Sequence, residues 1–321
     1  IQIIIHEGGH LIFGRLTGYR FSSFRIGSFM WIEEKGKIHL KRFSLAGTGG
    51  QCLMCPPDMV DGKITYIMYN LGGSLMNIIF GFVFLGLYQL LKDIPYLSVM
   101  LLMTGIAGFA SALLNGIPMS MGTVNNDGYN AIALGKNPEA LRAFWVQIKA
   151  NELITRGIRL KDMPEEWFEV PSKEEMKNSM TAVMGVFAAN RMMDTHAFNE
   201  AREFMEGLSK MDTGIIGLHR SLLECDMIFC ELIGENRKEY LDDILDKRQK
   251  KFMKQMKNYP AVIRTEYAYA LIAGKDEIKA DQIKKRFEKC ALSYPYQSDI
   301  ESERELMEIA AEHFSCAVRQ S

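Results

Sequence analysis

The sequence predicts an all-α membrane protein, in which a three-helix transmembrane core is followed by a soluble helical domain. Residues 66–118 are almost free of charged side chains, whereas residues 136–321 are rich in Lys, Arg, Asp and Glu. The mean hydropathy of -0.05 resembles that of a soluble protein only because it averages these two parts. Residues 19–45 change to a strand-like pattern, which predicts a small β-hairpin insertion in the core.

The first helix is predicted to run to about Thr17, where Gly18 stops it. Its apolar opening, Ile1–Ile5, is much shorter than the roughly twenty residues that a spanning helix needs. Because the sequence does not begin with Met, we expect a fragment whose first transmembrane helix has lost its N-terminal part. Gly8 and Gly9 each cost about 1 kcal/mol relative to Ala in a helix in water, and close packing against another helix would compensate.

The same helix carries His-Glu-Gly-Gly-His, which has the H-E-x-x-H spacing of zinc peptidases. Residues four apart lie on one face of an α-helix, so His6 and His10 can hold one Zn²⁺. Glu7 lies beside the first ligand and can take a proton from a water held by the ion. The alternative is two ordinary helix histidines, because short motifs also arise by chance.

The segment behind this helix predicts β-strands, with a tight turn at residues 35–37. Residues 46–51 are predicted to be flexible loop, because no phosphate-loop lysine follows their glycines. Cys52 and Cys55 are interpreted as loop thiols, since no second C-x-x-C completes a tetrahedral zinc site. All the cysteines are expected to be reduced.

Two further membrane spans are predicted at residues 66–91 and 96–114, both uncharged and long enough to cross a bilayer. A polar, irregular stretch follows from Asn115 to Gly128. Broken backbone at membrane depth is tolerated only in a protein interior or beside a cavity, so Asp127 is a functional candidate that would meet the two histidines through a metal. A surface turn just outside the membrane fits equally well, since Asn-Asp-Gly is good turn chemistry.

Basic residues set the predicted orientation. Most of those near the spans lie between the first helix and the second span, and Lys92 alone lies between the second and third. By the positive-inside rule, the β-rich segment and the C-terminal domain face the cytoplasm. The net charge of -1 gives no electrostatic reason to expect a nucleic acid partner.

The C-terminal part, residues 136–321, predicts amphipathic helices joined by short turns. Asn137-Pro138-Glu139 has the cap, proline and acid of a helix start, and Ser172 with Glu175 forms a capping box before another helix. Residues 266–275 resemble the first helix of a tetratricopeptide repeat, so we expect a repeat-like domain that binds a protein partner. The predicted helices are about 138–156, 173–191, 196–209, 214–234, 236–256, 260–273, 276–291 and 299–315.

Residues 1–135 resemble the bacterial branch of the site-2 protease family, the intramembrane zinc metalloproteases of peptidase family M50. The motifs that carry this resemblance are His-Glu-Gly-Gly-His, the β-hairpin behind it, Leu-Gly-Gly-Ser-Leu-Met-Asn, and Asn-Gly-Ile-Pro followed by Asn-Asp-Gly, with residues 119–126 as an insertion. The resemblance implies zinc as the cofactor and assigns the site residues as follows: His6, His10 and Asp127 as zinc ligands, Glu7 as general base, and Asn77 as a hydrogen-bond donor or substrate guide near the reacting carbonyl.

The resemblance also implies the activity, which is peptide-bond hydrolysis in or at the edge of the lipid bilayer. The protein would be a multi-pass protein of the bacterial cell membrane with a cytoplasmic C-terminal domain. Its substrate would be a membrane protein, as in regulated intramembrane proteolysis, or a leader or signal-peptide remnant, and these residues do not choose between them.

Two other classes of function compete with this one. A soluble zinc peptidase would need the two uncharged runs to be core helices, and their length argues against that. A catalytically inactive membrane scaffold would use its helical domain to bind a partner. The intact Glu7 beside both histidines argues weakly against the scaffold.

Overall fold

A computed structural model of the protein describes residues 1–34, 36–43, 49–119 and 125–320. The chain divides into two compact units, Ile1–Glu152 and Leu153–Ser321. Helix α5 (Pro138–Thr155) runs across this division. In the first unit, the Trp145 indole of α5 donates to the Pro57 carbonyl at 2.9 Å and the Lys149 ammonium pairs with Asp58 at 2.8 Å. These bonds attach most of α5 to the first unit.

The described residues of the first unit form four further α-helices, α1 (Gln2–Leu16), α2 (Ile67–Leu90), α3 (Pro95–Gly116) and α4 (Asp127–Ala133). Helices α2 and α3 agree with the two predicted spans, and both are long and apolar enough to cross a membrane. In their most apolar windows only 33% and 22% of the residues are buried, whereas a core helix of a soluble protein would be mostly buried. Their exposed faces carry large apolar side chains, including Ile79, Phe82, Leu90, Val99, Met100 and Met103.

The β segment is larger than the predicted hairpin. It forms a four-stranded antiparallel sheet in the order β3-β2-β1-β4. Glu34 pairs with Lys37, which agrees with the predicted tight turn, although Lys35 of that turn lies outside the described residues. The strands are β1 (Arg20–Ile26), β2 (Phe29–Glu34), β3 (Lys37–Arg42) and β4 (Gly50–Cys55).

The fourth strand corrects the predicted loop at residues 46–51. Gly50 and Gln51 belong to β4, where they pair with Ile26 and Arg25 of β1. Their local composition favours a loop, but the hydrogen bonds to β1 fix them as a strand, so the prediction was wrong for these two residues. Residues 46–48 of the predicted loop lie outside the described residues. Cys52 and Cys55, also predicted as loop residues, are buried in the same strand.

One face of the sheet packs on the helices of the first unit. Met54 of β4 is fully buried on this face, and Gly14 of α1 leaves the space that its side chain fills. Tyr69 of α2 stacks on Tyr19, with ring centroids 4.6 Å apart, and donates its phenol hydrogen to the Cys52 carbonyl at 2.9 Å. Strand β4 is thereby held against α1 and α2.

Helices α1 and α2 cross with their backbones in contact at Gly9 and Gly72. A Cβ atom at Gly9 would lie 2.7 Å from the Gly72 carbonyl carbon, and one at Gly72 would lie 2.7 Å from the Gly9 carbonyl oxygen. Neighbouring Gly8 has no atom within 4 Å of such a Cβ. Only one of the two adjacent glycines therefore serves the helix crossing.

Replacing Gly9 by Ala is expected to force α1 and α2 apart and to lower the free energy of unfolding by about 1–3 kcal/mol, the usual cost of overpacking. The matched change Gly8→Ala enters open space and is expected to be neutral or to stabilise the helix by up to about 1 kcal/mol. Thermal unfolding of the two detergent-purified variants, followed by circular dichroism, measures the difference. Equal midpoints for the two variants would show that the crossing does not depend on Gly9.

The second unit is helical, as predicted. Consecutive helices pack as pairs, namely α6 with α7, α7 with α8, and α11 with α12. This agrees with helical hairpins, and their identity as tetratricopeptide repeats stays a prediction. The helices are α6 (Ser179–Asp194), α7 (Phe198–Lys210), α8 (Gly217–Ile233), α9 (Lys238–Ile244), α10 (Lys247–Gln255), α11 (Pro260–Ala268), α12 (Glu277–Ala291) and α13 (Gln297–Gln320), with a π-helical stretch at Tyr269–Ala273.

Two predicted helix boundaries in this unit are wrong. The Ser172–Glu175 capping box forms, with Ser172 N donating to Glu175 Oε2 at 2.8 Å, but it precedes a single 3₁₀ turn. Helix α6 begins later, where the Asn178 side chain accepts from Met180 N at 2.9 Å.

The predicted helix 236–256 is two helices. The Asp246 side chain accepts a hydrogen bond from Gln249 N at 2.7 Å and caps a new start. In both places a cap inside the apolar pattern decides where the helix begins.

Candidate functional site

Three ligand-type atoms converge between α1 and the first residue of α4. The Nε2 atoms of His6 and His10 lie 3.0 and 3.4 Å from Asp127 Oδ2, and 3.2 Å from each other. In the part of the chain that the structure describes, this is the one group of three His, Cys, Asp or Glu side chains close enough to hold a metal ion. The structure thus brings together the three residues that are expected from the sequence to be zinc ligands.

Hydrogen bonds at the far side of each imidazole define which nitrogen faces the group. His10 Nδ1 lies 2.7 Å from the Tyr69 carbonyl, which can only accept, so Nδ1 carries the hydrogen. His6 Nδ1 lies 2.9 Å from Asn77 Oδ1, which also only accepts. A neutral ring with hydrogen at Nδ1 presents a lone pair at Nε2, and both rings present it towards Asp127.

The donor set fits a divalent metal. Two imidazole lone pairs and a carboxylate oxygen repel one another at these distances unless a cation lies among them. Asp127 Oδ2 is buried and receives no hydrogen bond from the described residues, which is costly for a carboxylate oxygen without a cation. Two histidines and one carboxylate are the protein ligands of one common type of catalytic zinc site.

Asn126 places Asp127 in this group. Its side-chain Nδ2 donates to the carbonyls of Leu114 and Ile117, at 2.8 and 2.5 Å, where α3 ends. Its Oδ1 accepts from Met119 N at 3.0 Å and from Tyr129 N at 2.9 Å, where α4 begins. One amide side chain therefore connects the end of α3 to the start of α4. All four of these hydrogen bonds go to backbone groups.

Residues 120–124 of the predicted insertion lie outside the described residues. Met119, directly before them, and Asn126, two residues after them, are joined by two hydrogen bonds, of 3.0 and 3.1 Å. The longer interval between Pro118 and Asp127 is therefore compatible with a carboxylate beside both histidines.

Gly73 of α2 leaves the space that both imidazoles occupy. A Cβ atom there would lie 2.5 Å from His6 Cε1 and 2.7 Å from His10 Nε2. A substitution at this position would have to move the rings or the helix, because the overlap is with ring atoms and not with a flexible chain end.

Gly73→Ala is expected to weaken zinc binding about 10–100-fold, the range found when a group that orients a metal ligand is disturbed. Gly86→Ala is the matched control on the same helix, because a Cβ at Gly86 has no atom within 4 Å. Competition between the purified variants and a fluorescent zinc chelator measures both affinities. An unchanged affinity in Gly73→Ala would show that the rings tolerate the displacement.

Glu7 lies next to His6 in α1, and its buried side chain is packed against strand β4. A Cβ atom at Gly50 of β4 would lie 2.7 Å from Glu7 Oε1 and 2.8 Å from Glu7 Cγ. Gly50, the first residue of β4, thus limits the positions that the Glu7 carboxylate can take. The sequence placed Glu7 beside the histidines and gave no sign of this contact.

Asn77 is fully buried behind His6. Its Oδ1 lies 2.9 Å from His6 Nδ1, and its Nδ2 donates to Gln2 Oε1 at 2.7 Å. Both ends of the amide are therefore bonded to protein groups, and a donor role towards a substrate carbonyl stays a prediction.

Sequence reasoning missed four residues that shape the site. Two of them had a signal in the sequence, namely the adjacent glycines of α2 and an Asn directly before Asp-Gly. The other two have no motif in the sequence, because Tyr69 acts through its backbone carbonyl and Gln2 through its long side chain. The four are Gln2, Tyr69, Gly73 and Asn126.

Comparison with known families adds an independent line of support. The model of Peptidase family M50 matches residues 1–283. This range extends well beyond residues 1–135, which carry the motifs, and includes most of the helical second unit. Comparison with curated proteins and with solved structures finds no match. Because the family model covers most of the sequence, the chain belongs to peptidase family M50, the family of the site-2 proteases.

Proposed function

We propose that this peptidase is a zinc metalloendopeptidase that hydrolyses a peptide bond within a membrane or at its edge. The observation that carries the proposal is the convergence of His6, His10 and Asp127, with their lone pairs facing one another. The helix that supplies both histidines packs on α2, which is long and apolar enough to cross a bilayer.

His6, His10 and Asp127 would hold the ion. When bound, Zn²⁺ supplies a Lewis acid that polarises the scissile carbonyl and makes a water more acidic. Glu7 accepts the proton of the attacking water as its oxygen bonds to the carbonyl carbon, and then gives that proton to the leaving nitrogen as the C–N bond breaks. The contact between Glu7 and Gly50 restricts the carboxylate during this transfer.

The substrate segment must be unwound, because a helical peptide bond is shielded by its own hydrogen bonds. Strand β4 lies at one edge of the sheet, and its residue Gly50 contacts Glu7. A substrate strand added along β4 would be held extended and would pass beside the base. We therefore propose a locally unwound membrane segment, or a leader or signal-peptide remnant, as the substrate class.

The topology belongs to the same proposal. Basic residues between α1 and α2 put the sheet on the cytoplasmic side, and the helical second unit follows on that side. There it would recruit a substrate or respond to a protein partner. Retention in the membrane fraction after alkaline wash is expected, and release into the wash would favour the soluble zinc peptidase instead.

The test is cleavage in liposomes. The purified protein is reconstituted with single-span model substrates in which a Gly-Pro pair unwinds the span at different depths, and products are located by mass spectrometry. Cleavage within or beside the unwound segment is expected, with loss on chelation and recovery on adding zinc. Cleavage that survives chelation would contradict the zinc mechanism. A folded protein that binds no zinc and cleaves no substrate would favour the scaffold.

A further inference from the structure

Three hydrogen bonds connect helix α3 to the ring of His6. The Gln2 side-chain Nε2 donates to the Thr104 carbonyl of α3 at 2.7 Å. Asn77 Nδ2 of α2 donates to Gln2 Oε1 at 2.7 Å, and His6 Nδ1 lies 2.9 Å from Asn77 Oδ1. The series uses two residues of α1 and one residue each of α2 and α3, so it joins these three helices.

The Thr104 carbonyl determines which group donates and which accepts in each hydrogen bond of this series. The Thr104 carbonyl can only accept, so the NH₂ group of Gln2 faces it and Gln2 Oε1 faces α2. Only the NH₂ group of Asn77 can donate to that oxygen, so Asn77 Oδ1 faces His6. An amide oxygen only accepts, and His6 Nδ1 must therefore carry a hydrogen. A backbone carbonyl in α3 thus determines the tautomer of a ring in α1.

A glycine in α3 leaves room for the series. A Cβ atom at Gly108 would lie 3.3 Å from Gln2 Nε2 and 3.1 Å from the Asn77 carbonyl oxygen. These contacts are tighter than ordinary van der Waals contact, so a larger residue would press on the Gln2 amide. In the opening apolar run Ile1–Ile5, Gln2 is the single polar residue, and burying its amide would be unfavourable without these bonds.

We infer that Gln2 is a positioning residue of the metal site, which acts through Asn77 to hold His6 as the tautomer with a lone pair at Nε2. Asn77 is then the second positioning residue in the same series. This inference rests on the proposed zinc function, since the lone pair at Nε2 matters only if it binds a metal. Without the Gln2 side chain, Asn77 Nδ2 keeps only its longer hydrogen bond, of 3.4 Å, to the Gln2 backbone carbonyl. The amide is then held less firmly and can turn its NH₂ group towards His6, which would favour the tautomer with hydrogen at Nε2.

The experiment compares Gln2→Met with Ile4→Met in the full chain in detergent. Met has about the length of Gln without its amide, and Ile4 is 53% exposed on the same helix, away from the hydrogen-bonded series. Zinc affinity is measured by chelator competition, and the tautomer of His6 by nitrogen NMR of histidine-labelled, metal-free protein. Gln2→Met is expected to bind zinc about 10–100-fold more weakly and to lose the uniform Nδ1–H signal. Ile4→Met is expected to match the parent in both measurements.

A second variant covers poor folding of Gln2→Met. Gly108→Ala keeps every hydrogen-bonding group and crowds the Gln2 amide, so it is expected to weaken zinc binding in the same direction by a smaller factor. Parent-like affinity and tautomer in both Gln2→Met and Gly108→Ala would overturn the inference. A parent that binds no zinc would overturn the proposed function instead, and the tautomer of His6 would then still decide whether Gln2 positions the ring.

Discussion

Glu7→Gln is expected to lower the rate of substrate cleavage about 10²–10⁴-fold without loss of bound zinc. The amide has nearly the shape of the carboxylate, so it fits the same space against Gly50 of β4. It cannot accept the proton of the attacking water, and the loss of a general base has an effect of this size. The zinc ligands are on other residues, so zinc per chain is expected to equal that of the parent. Single-turnover cleavage of the model substrate and zinc analysis of the same preparation measure both quantities.

Gly8→Ala is the control for this change, because it alters the next residue of the motif and meets no neighbouring atom. It is expected to keep both cleavage and zinc. Normal cleavage by Glu7→Gln would show that another group takes the proton. If a biological output persisted in Glu7→Gln at unchanged protein level, the membrane scaffold would be the better description.

The parts of the site that the sequence predicted are those set by local geometry. Two histidines four residues apart lie on one face of a helix whatever surrounds them, so the sequence alone predicted that they could bind the same ion. Uncharged runs of the required length predicted α2 and α3 within a few residues. For Asp127 the sequence allowed two interpretations, a metal ligand or part of a surface turn. It could not distinguish them, because a surface turn and a helix start use the same residue types. The position of Asp127 beside the histidines follows from the bonds of Asn126 to the end of α3.

The parts that the sequence missed depend on partners distant in the chain. Gly50 and Gln51 have loop composition, and only their pairing with β1 makes them a strand. The sequence does not distinguish Gly8 from Gly9, yet of the two only Gly9 packs against the backbone of another helix. The hydrogen bonds that orient the two imidazoles come from α2, more than fifty residues away in the chain. Motif spacing within one helix gives no information about such distant partners. In the second unit, several residues could have begun a helix, and the side-chain caps at Asn178 and Asp246 fix the first residues of α6 and α10.

Asp127→Asn is expected to cause a loss of zinc larger than the roughly 10–100-fold that follows from disturbing an outer hydrogen bond of a ligand. Asn keeps the size of the side chain, so Asn126 can still cap α4 and hold the start of the helix. The amide oxygen brings no negative charge, and it would leave two neutral imidazoles to hold a divalent cation alone. Chelator competition gives the affinity, and zinc per chain after dialysis gives the occupancy.

Asp93→Asn removes the same charge from an exposed position between α2 and α3, so it controls for the change in net charge. It is expected to bind zinc as the parent does. If zinc were equally lost from both variants, the effect would not come from the site. If Asp127→Asn kept its zinc, the two histidines would need a different third ligand. That result would preserve the peptidase assignment but remove the reason for the close approach of Asp127 Oδ2 to both Nε2 atoms. The expected loss, by contrast, would establish that the three converging atoms exist to bind the ion.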